Sequence, residues 1–153
     1  VSLFGNIATL YDRATAENCG VECMIGEWNP SATTTETETL PTNDELRQLA
    51  AASGTPADVS EPLRTRATNW IRNDQSEWEQ AISELEDAEL INVAFFYIRA
   101  EQTLSGFESG ANNPAIRIFR YLKSQGRKPD KDIVRKMKAE TDNRFIPHGD
   151  ALT

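Results

Sequence analysis

Residues 88–104 hold the densest apolar run of the chain, and Asn92 is the single polar interruption of its core, residues 90–98. A helix that is apolar on nearly every side belongs in the middle of a domain. The run also contains β-branched and aromatic residues, so a buried strand is the alternative. Helix-forming flanks without a turn signal favour one long central helix. We expect Phe95→Asp in this helix to unfold the domain, because it buries an unpaired charge.

Apolar side chains recur at helical spacing in five further segments after Thr42, and each segment has a start signal. These signals include the capping-box spacing of Thr42 with Glu45 and the N-cap followed by proline at Asn113. The loops between the segments are short, which favours antiparallel neighbours. The pattern predicts an all-α fold, a compact helical bundle. The five segments begin at Thr42, Ser60, Asp74 or Ser76, Asn113 and Asp130, and the third either runs into the central helix or kinks near Glu86.

The first 41 residues follow a different pattern from the helical domain, which we assign to residues 42–153. Residues 1–28 begin with apolar side chains at helical spacing, which predicts an amphipathic N-terminal helical arm. Residues 29–41 contain two prolines and five threonines, so we expect a Thr-rich linker, with an edge strand as the alternative. The arm is suited to docking on a neighbouring subunit or on its own domain. Its apolar face consists of Leu3, Phe4, Ile7, Leu10 and Tyr11.

Composition narrows the class of protein and its compartment. The chain has 153 residues, 39% of them hydrophobic and 26% charged, which is typical of one globular domain. No apolar run approaches 18 residues, so we predict no membrane span. Cys19 and Cys23 are expected to be free thiols, because Gly20 breaks any helix there and the short interval disfavours a disulfide. Free thiols favour a reducing, cytoplasmic location.

Charge is distributed unevenly along the chain. The net charge is −8, yet residues 117–138 contain nine basic and two acidic side chains, a local charge of +7. Two cationic helices joined by a turn are compatible with a helix–turn–helix reader of DNA, with a site for an acidic protein partner, or with a solvated face. An acidic remainder repels phosphates, so nucleic acid is the weaker alternative. The candidate binding residues are Arg117, Arg120, Lys123, Arg127, Lys131 and Arg135.

Catalytic chemistry has little support in the sequence. His148 and Asp150 could form an acid–base pair with Cys19 or Ser105 as nucleophile, but no motif places them together. The carboxylates of the central region lack the Glu-x-x-His pattern of di-metal bundles. We therefore predict no catalytic residue, no metal and no cofactor.

Our interpretation is a non-catalytic protein-interaction or assembly module that self-associates or binds an acidic protein partner. The first alternative is a nucleic-acid-associated regulator that uses the basic helix pair at residues 117–138. The second is a small enzyme with its site around His148.

Overall fold

A computed structural model describes residues 40–146, which form six α-helices and two 3₁₀ turns and, within this range, no strand. The all-α prediction is confirmed for these residues. The arm, the linker up to residue 39, both cysteines and His148 lie outside the described range. The helices are α1 (Asn43–Ala51), α2 (Glu61–Trp70), α3 (Gln75–Ile82), α4 (Asp87–Thr103), α5 (Pro114–Ser124) and α6 (Lys131–Ala139); the 3₁₀ turns are Pro56–Asp58 and Gly110–Asn112.

Most of the predicted start signals are used as N-caps. The Thr42 hydroxyl accepts from the Glu45 N–H at 3.4 Å, and Glu45 Oε2 accepts from the Thr42 N–H at 2.9 Å. Asp74 caps α3 through a reciprocal pair with Glu77, which decides between the two predicted starts of that helix. Asn113 caps α5 by accepting from the Ala115 N–H at 2.9 Å. Because each cap pairs donors that the helix leaves free, these local sequences define where the helices begin.

Thr42→Ala is expected to lower the free energy of unfolding by about 1 kcal/mol, because the first turn of α1 loses its side-chain acceptor. Ser60→Ala is the matched control. Ser60 occupies the N-cap position of α2, but its side chain makes no capping hydrogen bond. Urea denaturation of both variants measures the difference. An equal effect at the two positions would contradict the capping role of Thr42.

The central helix α4 is confirmed, and α1 and α5 both pack against it. Tyr97 lies at the centre of an aromatic cluster, with ring centroids 5.8 Å from Trp78 and 5.4 Å from Phe96. Its hydroxyl donates to the Ala67 carbonyl at 3.1 Å, and complete burial raises its pKa well above the ordinary range. The buried residues of α4 are Leu90, Val93, Ala94, Phe95, Phe96, Tyr97, Ile98 and Ala100.

Helix α3 does not run into α4. It ends at Ile82, and a turn follows in which the Leu85 N–H donates to the Ile82 carbonyl at 3.1 Å and the Leu85 side chain is buried in the core. The Glu86 N–H then donates to Glu89 Oε2 at 3.0 Å at the start of α4. Two separate helices therefore replace the continuous alternative. Among residues 40–146, none of the helices has the length and apolar character to cross a bilayer.

Candidate functional site: a basic surface on the last two helices

Helix α5 is strongly amphipathic: one face is buried in the core and the other carries exposed cations. Ile118, Phe119 and Leu122 are buried in the core, whereas Arg120 and Lys123 are exposed on the opposite side. Gly126 lies two residues beyond the end of the helix, and its φ of 70° is a left-handed conformation that favours glycine. The Arg127 N–H then donates to the Leu122 carbonyl at 2.8 Å, a bond that closes the last turn.

Arg117 belongs to the joint between α5 and α3 rather than to an open surface. Its side chain is half-buried, and its main-chain carbonyl accepts from Gln75 Nε2 at 3.1 Å. Burial and the neighbouring Arg120 lower the pKa of its guanidinium, while the charges of Asp74 and Glu77 act in the opposite direction. This candidate residue is therefore partly neutralised by acidic groups of its own domain.

Two further candidate cations form ion pairs within the domain. Arg127 Nη1 lies 2.6 Å from Asp87 Oδ1, and its guanidinium sits 5.8 Å from the centre of the Tyr121 ring. Arg135 pairs with Asp132 one turn earlier in α6, at 3.3 Å. Both pairs are exposed, so each contributes little to stability. Their carboxylates nevertheless reduce the charge that these two arginines offer to a partner.

The cations of α6 do not form the continuous row that their spacing suggests. Lys138 Nζ donates to the Asn143 carbonyl at 2.7 Å, and Lys136 lies over the Phe95 ring at 5.5 Å. Lys131 opens the helix and is exposed. Helix α6 thus directs several of its cations toward the domain itself.

The remaining positive charge is concentrated where α5 ends. Arg120, Lys123 and Lys128 are exposed, and none of them forms an ion pair with any residue between positions 40 and 146. Cations near a helix C-terminus are also stabilised by the helix dipole. We call these three residues the basic surface. Lys128 is one of the nine basic residues of segment 117–138, but only the structure shows that it has no ion-pair partner among residues 40–146.

The central carboxylates are dispersed rather than gathered at one face. Glu84 accepts from Asn43 Nδ2, Asp87 pairs with Arg127, and Glu77 caps α3. Glu101 lies near the other end of α4, beside residues 109–113. In the described part of the chain, no group of three or more His, Cys, Asp or Glu side chains is arranged to hold a metal ion.

A polar network around Glu101 was not anticipated from the sequence. Glu101 Oε1 accepts from the Ser109 and Gly110 N–H groups at 2.9 and 2.8 Å. Its Oε2 accepts from the side-chain amides of Asn113 and Asn143, each at 2.9 Å. Burial alone would raise the pKa of Glu101, but these hydrogen bonds together outweigh burial and lower it. The two glycines of the loop were visible in the sequence, whereas the approach of Asn143 was not.

A second set of hydrogen bonds, made by Arg99, holds the segment that follows α6. Arg99 donates to both carboxylate oxygens of Glu140, at 2.5 and 2.9 Å, and to the Ser53 carbonyl at 2.5 Å. Ile146, at the end of the described residues, is buried in the core. Phe145 instead is 46% exposed, with the Arg144 guanidinium 4.8 Å from its ring centre.

The residues proposed for catalysis are not brought together by the described part of the chain. Ser105 is exposed in the loop after α4, and His148, Asp150 and Cys19 lie outside the described range. The interaction face predicted at Leu3 to Tyr11 also lies outside it. No protein-family model, curated protein or solved structure matches this chain. Function is therefore inferred from the geometry of the chain itself.

Proposed function

We propose that this protein is a non-catalytic interaction module whose basic surface binds an acidic protein partner. The observation that carries the proposal is the exposure of Arg120, Lys123 and Lys128 without an ion pair inside the described domain. An exposed cation that is not matched within its own domain can pair with a carboxylate of another molecule. Such complementary charges steer association and select partners.

The geometry of α5 supports this proposal because the helix backbone is fixed before any partner arrives. Asn113 caps its start and is itself fully buried, and the core holds Phe119 and Leu122. Binding then costs mainly the ordering of the long cationic side chains, since the backbone needs no rearrangement.

The borders of the basic surface favour a protein over a nucleic acid. Asp87 lies beside Arg127, Asp130 and Asp132 are exposed at the start of α6, and Asp74 and Glu77 flank Arg117. A phosphate backbone that continued beyond the basic surface would meet these carboxylates and be repelled. A protein with a small cluster of acidic side chains can pair with the three cations without contacting the carboxylates that surround the basic surface.

The test compares two double variants of equal charge change. Arg120→Glu with Lys123→Glu reverses two of the three cations of the basic surface, and Lys136→Glu with Arg144→Glu reverses two exposed cations outside it that form no ion pair with residues 40–146. Tagged full-length chains are used to capture partners from the source cells after nuclease treatment, and the bound proteins are quantified by mass spectrometry. We expect a stoichiometric partner that the wild type and the control retain and the first variant loses about tenfold or more.

Equal capture by both variants would contradict the proposal. A fluorescent DNA duplex at about 50 mM salt examines the nucleic-acid alternative, because phosphate binding is strongest at low salt. If the duplex binds to the wild type and to the control but not to the Arg120 and Lys123 variant, the partner of the basic surface is nucleic acid and not an acidic protein.

The solution mass of the wild type, measured by light scattering, tests the predicted self-association. A cytoplasmic setting for the interaction rests on the cysteine usage alone.

A further inference from the structure

A polar cleft lies between the C-terminal end of α2 and the loop that follows α4, and its volume is about 340 Å³. Asn69 and Arg72 line it from the side of α2, and Glu108 and Asn112 line it from the loop. The cleft shares no residue with the basic surface, so inferences about it stand apart from the proposed function.

The two walls carry opposite charges that do not neutralise each other. Arg72 and Glu108 both line the cleft and are exposed, yet neither has an ion-pair partner among residues 40–146. Glu108 Oε2 accepts from the Gly106 N–H at 2.8 Å, which holds the carboxylate on its own side of the cleft. A small ligand that carries both a carboxylate and an ammonium group could satisfy both charges at once.

Two exposed amides add hydrogen-bonding capacity to the same cleft. The side chains of Asn69 and Asn112 line it and make no hydrogen bond with any other described residue. Each amide offers both a donor and an acceptor. The two amides can therefore bind polar atoms of a small ligand whose charged groups lie at Arg72 and Glu108.

Both walls are anchored in the core, so the cleft is formed before a ligand binds. The Tyr97 hydroxyl donates to the Ala67 carbonyl beneath α2. Phe107 is 1% exposed and its ring packs 6.0 Å from that of Phe96. Glu101 binds the main chain of the loop at residues 109 and 110. Fixed walls reduce the entropy lost on binding.

We propose that this cleft binds a free amino acid, with the carboxylate at Arg72 and the ammonium group at Glu108. A volume of about 340 Å³ lies at the lower end of the range of small-molecule sites, which suits a ligand as small as an amino acid. The polar lining favours an amino acid with a small polar side chain over an aliphatic one.

The experiment is an NMR titration of the ¹⁵N-labelled full-length chain with each of the twenty common amino acids. We expect at least one of them to shift the amide signals of Asn69, Arg72, Glu108 and Asn112 in a saturable way. The amide of that amino acid, which lacks the carboxylate, and its N-acetyl form, which lacks the ammonium group, are expected to bind about tenfold more weakly or worse.

Arg72→Met and Glu108→Gln are each expected to weaken the binding by about tenfold. Arg144→Met removes an exposed arginine outside the cleft lining and should bind as the wild type does. Both cleft residues are exposed, so unchanged thermal unfolding will show that the variants remain folded. The proposal is overturned if no amino acid gives a saturable shift up to about 10 mM. It is also overturned if the two derivatives bind as well as the unmodified amino acid and the cleft variants bind it as well as the wild type does.

Discussion

Phe96→Asp is expected to abolish the folded state, whereas Phe95→Asp, at the preceding position, leaves a folded domain of reduced stability. Phe96 is completely buried, and its ring meets those of Tyr97 and Phe107. Loss of a buried phenyl group alone costs about 3–5 kcal/mol, and a domain has only about 5–15 kcal/mol in total. A carboxylate there would also be buried, and among residues 40–146 no cation lies over the Phe96 ring, in contrast to that of Phe95.

Phe95 differs because two cations already lie against its ring. The Arg99 guanidinium is 5.0 Å and the Lys136 ammonium 5.5 Å from the ring centre. An aspartate at this position would have counter-charges within reach, which weakens the expectation from sequence that Phe95→Asp unfolds the domain. Circular dichroism with thermal denaturation compares the two variants. A cooperative transition in Phe96→Asp, or an unfolded Phe95→Asp, would contradict the expected order.

Glu101→Ala is expected to lower the free energy of unfolding by about 3 kcal/mol. The substitution deprives the N–H groups of Ser109 and Gly110 and the amides of Asn113 and Asn143 of their acceptor. Buried donors left without a partner cost about 1–3 kcal/mol each, and partial access to water limits the sum. The expected result includes faster hydrogen exchange in the loop at residues 105–113.

Glu108→Ala provides the matched control for Glu101→Ala. Glu108 is exposed in the same loop and accepts one hydrogen bond, from the Gly106 N–H. Its removal is expected to change the free energy of unfolding by no more than about 0.5 kcal/mol. Urea denaturation measures both variants. Equal losses would show that the network around Glu101 does not hold the loop.

The same carboxylate predicts how the stability depends on pH. The folded-state pKa of Glu101 lies below its unfolded value, so its contribution is fully present above the unfolded pKa. The contribution is lost as the pH falls through the folded pKa. The stability difference between the wild type and Glu101→Gln should therefore shrink on acidification. Parallel stability curves for the two proteins would contradict this assignment.

The features that sequence predicted well are those determined by neighbouring residues. Thr42 and Glu45 act across three positions, so their capping box was predicted from local sequence, whereas the choice between Asp74 and Ser76 as the next N-cap was left open. The continuous apolar sequence of α4 likewise predicted a buried helix, because a helix that is buried on all sides is apolar on all sides and can be identified from its own residues. The break before Glu86 was left open, since no glycine or proline marks it.

The features that sequence could not supply depend on residues far apart in the chain. Arg127 meets Asp87 across 40 positions, and Asn143 reaches Glu101 across 42. Spacing alone placed Arg117, Arg127 and Arg135 with the other cations of the candidate site. Packing put acidic groups from other helices beside Arg117 and Arg127, whereas Arg135 pairs with Asp132 three positions away in the same helix. Lys128 joined Arg120 and Lys123 in the basic surface, because none of these three has an ion-pair partner among residues 40–146.

Arg99 has a consequence for how the domain comes apart. Its guanidinium binds the Ser53 carbonyl, just after the first helix, and the Glu140 carboxylate, just after the last. The opening and closing segments of the domain are thereby joined through one side chain of the central helix. Opening of either segment releases one side of the Arg99 guanidinium and leaves the other segment held by a less restrained side chain. We therefore expect the two ends of the described domain to lose their order in a coupled way.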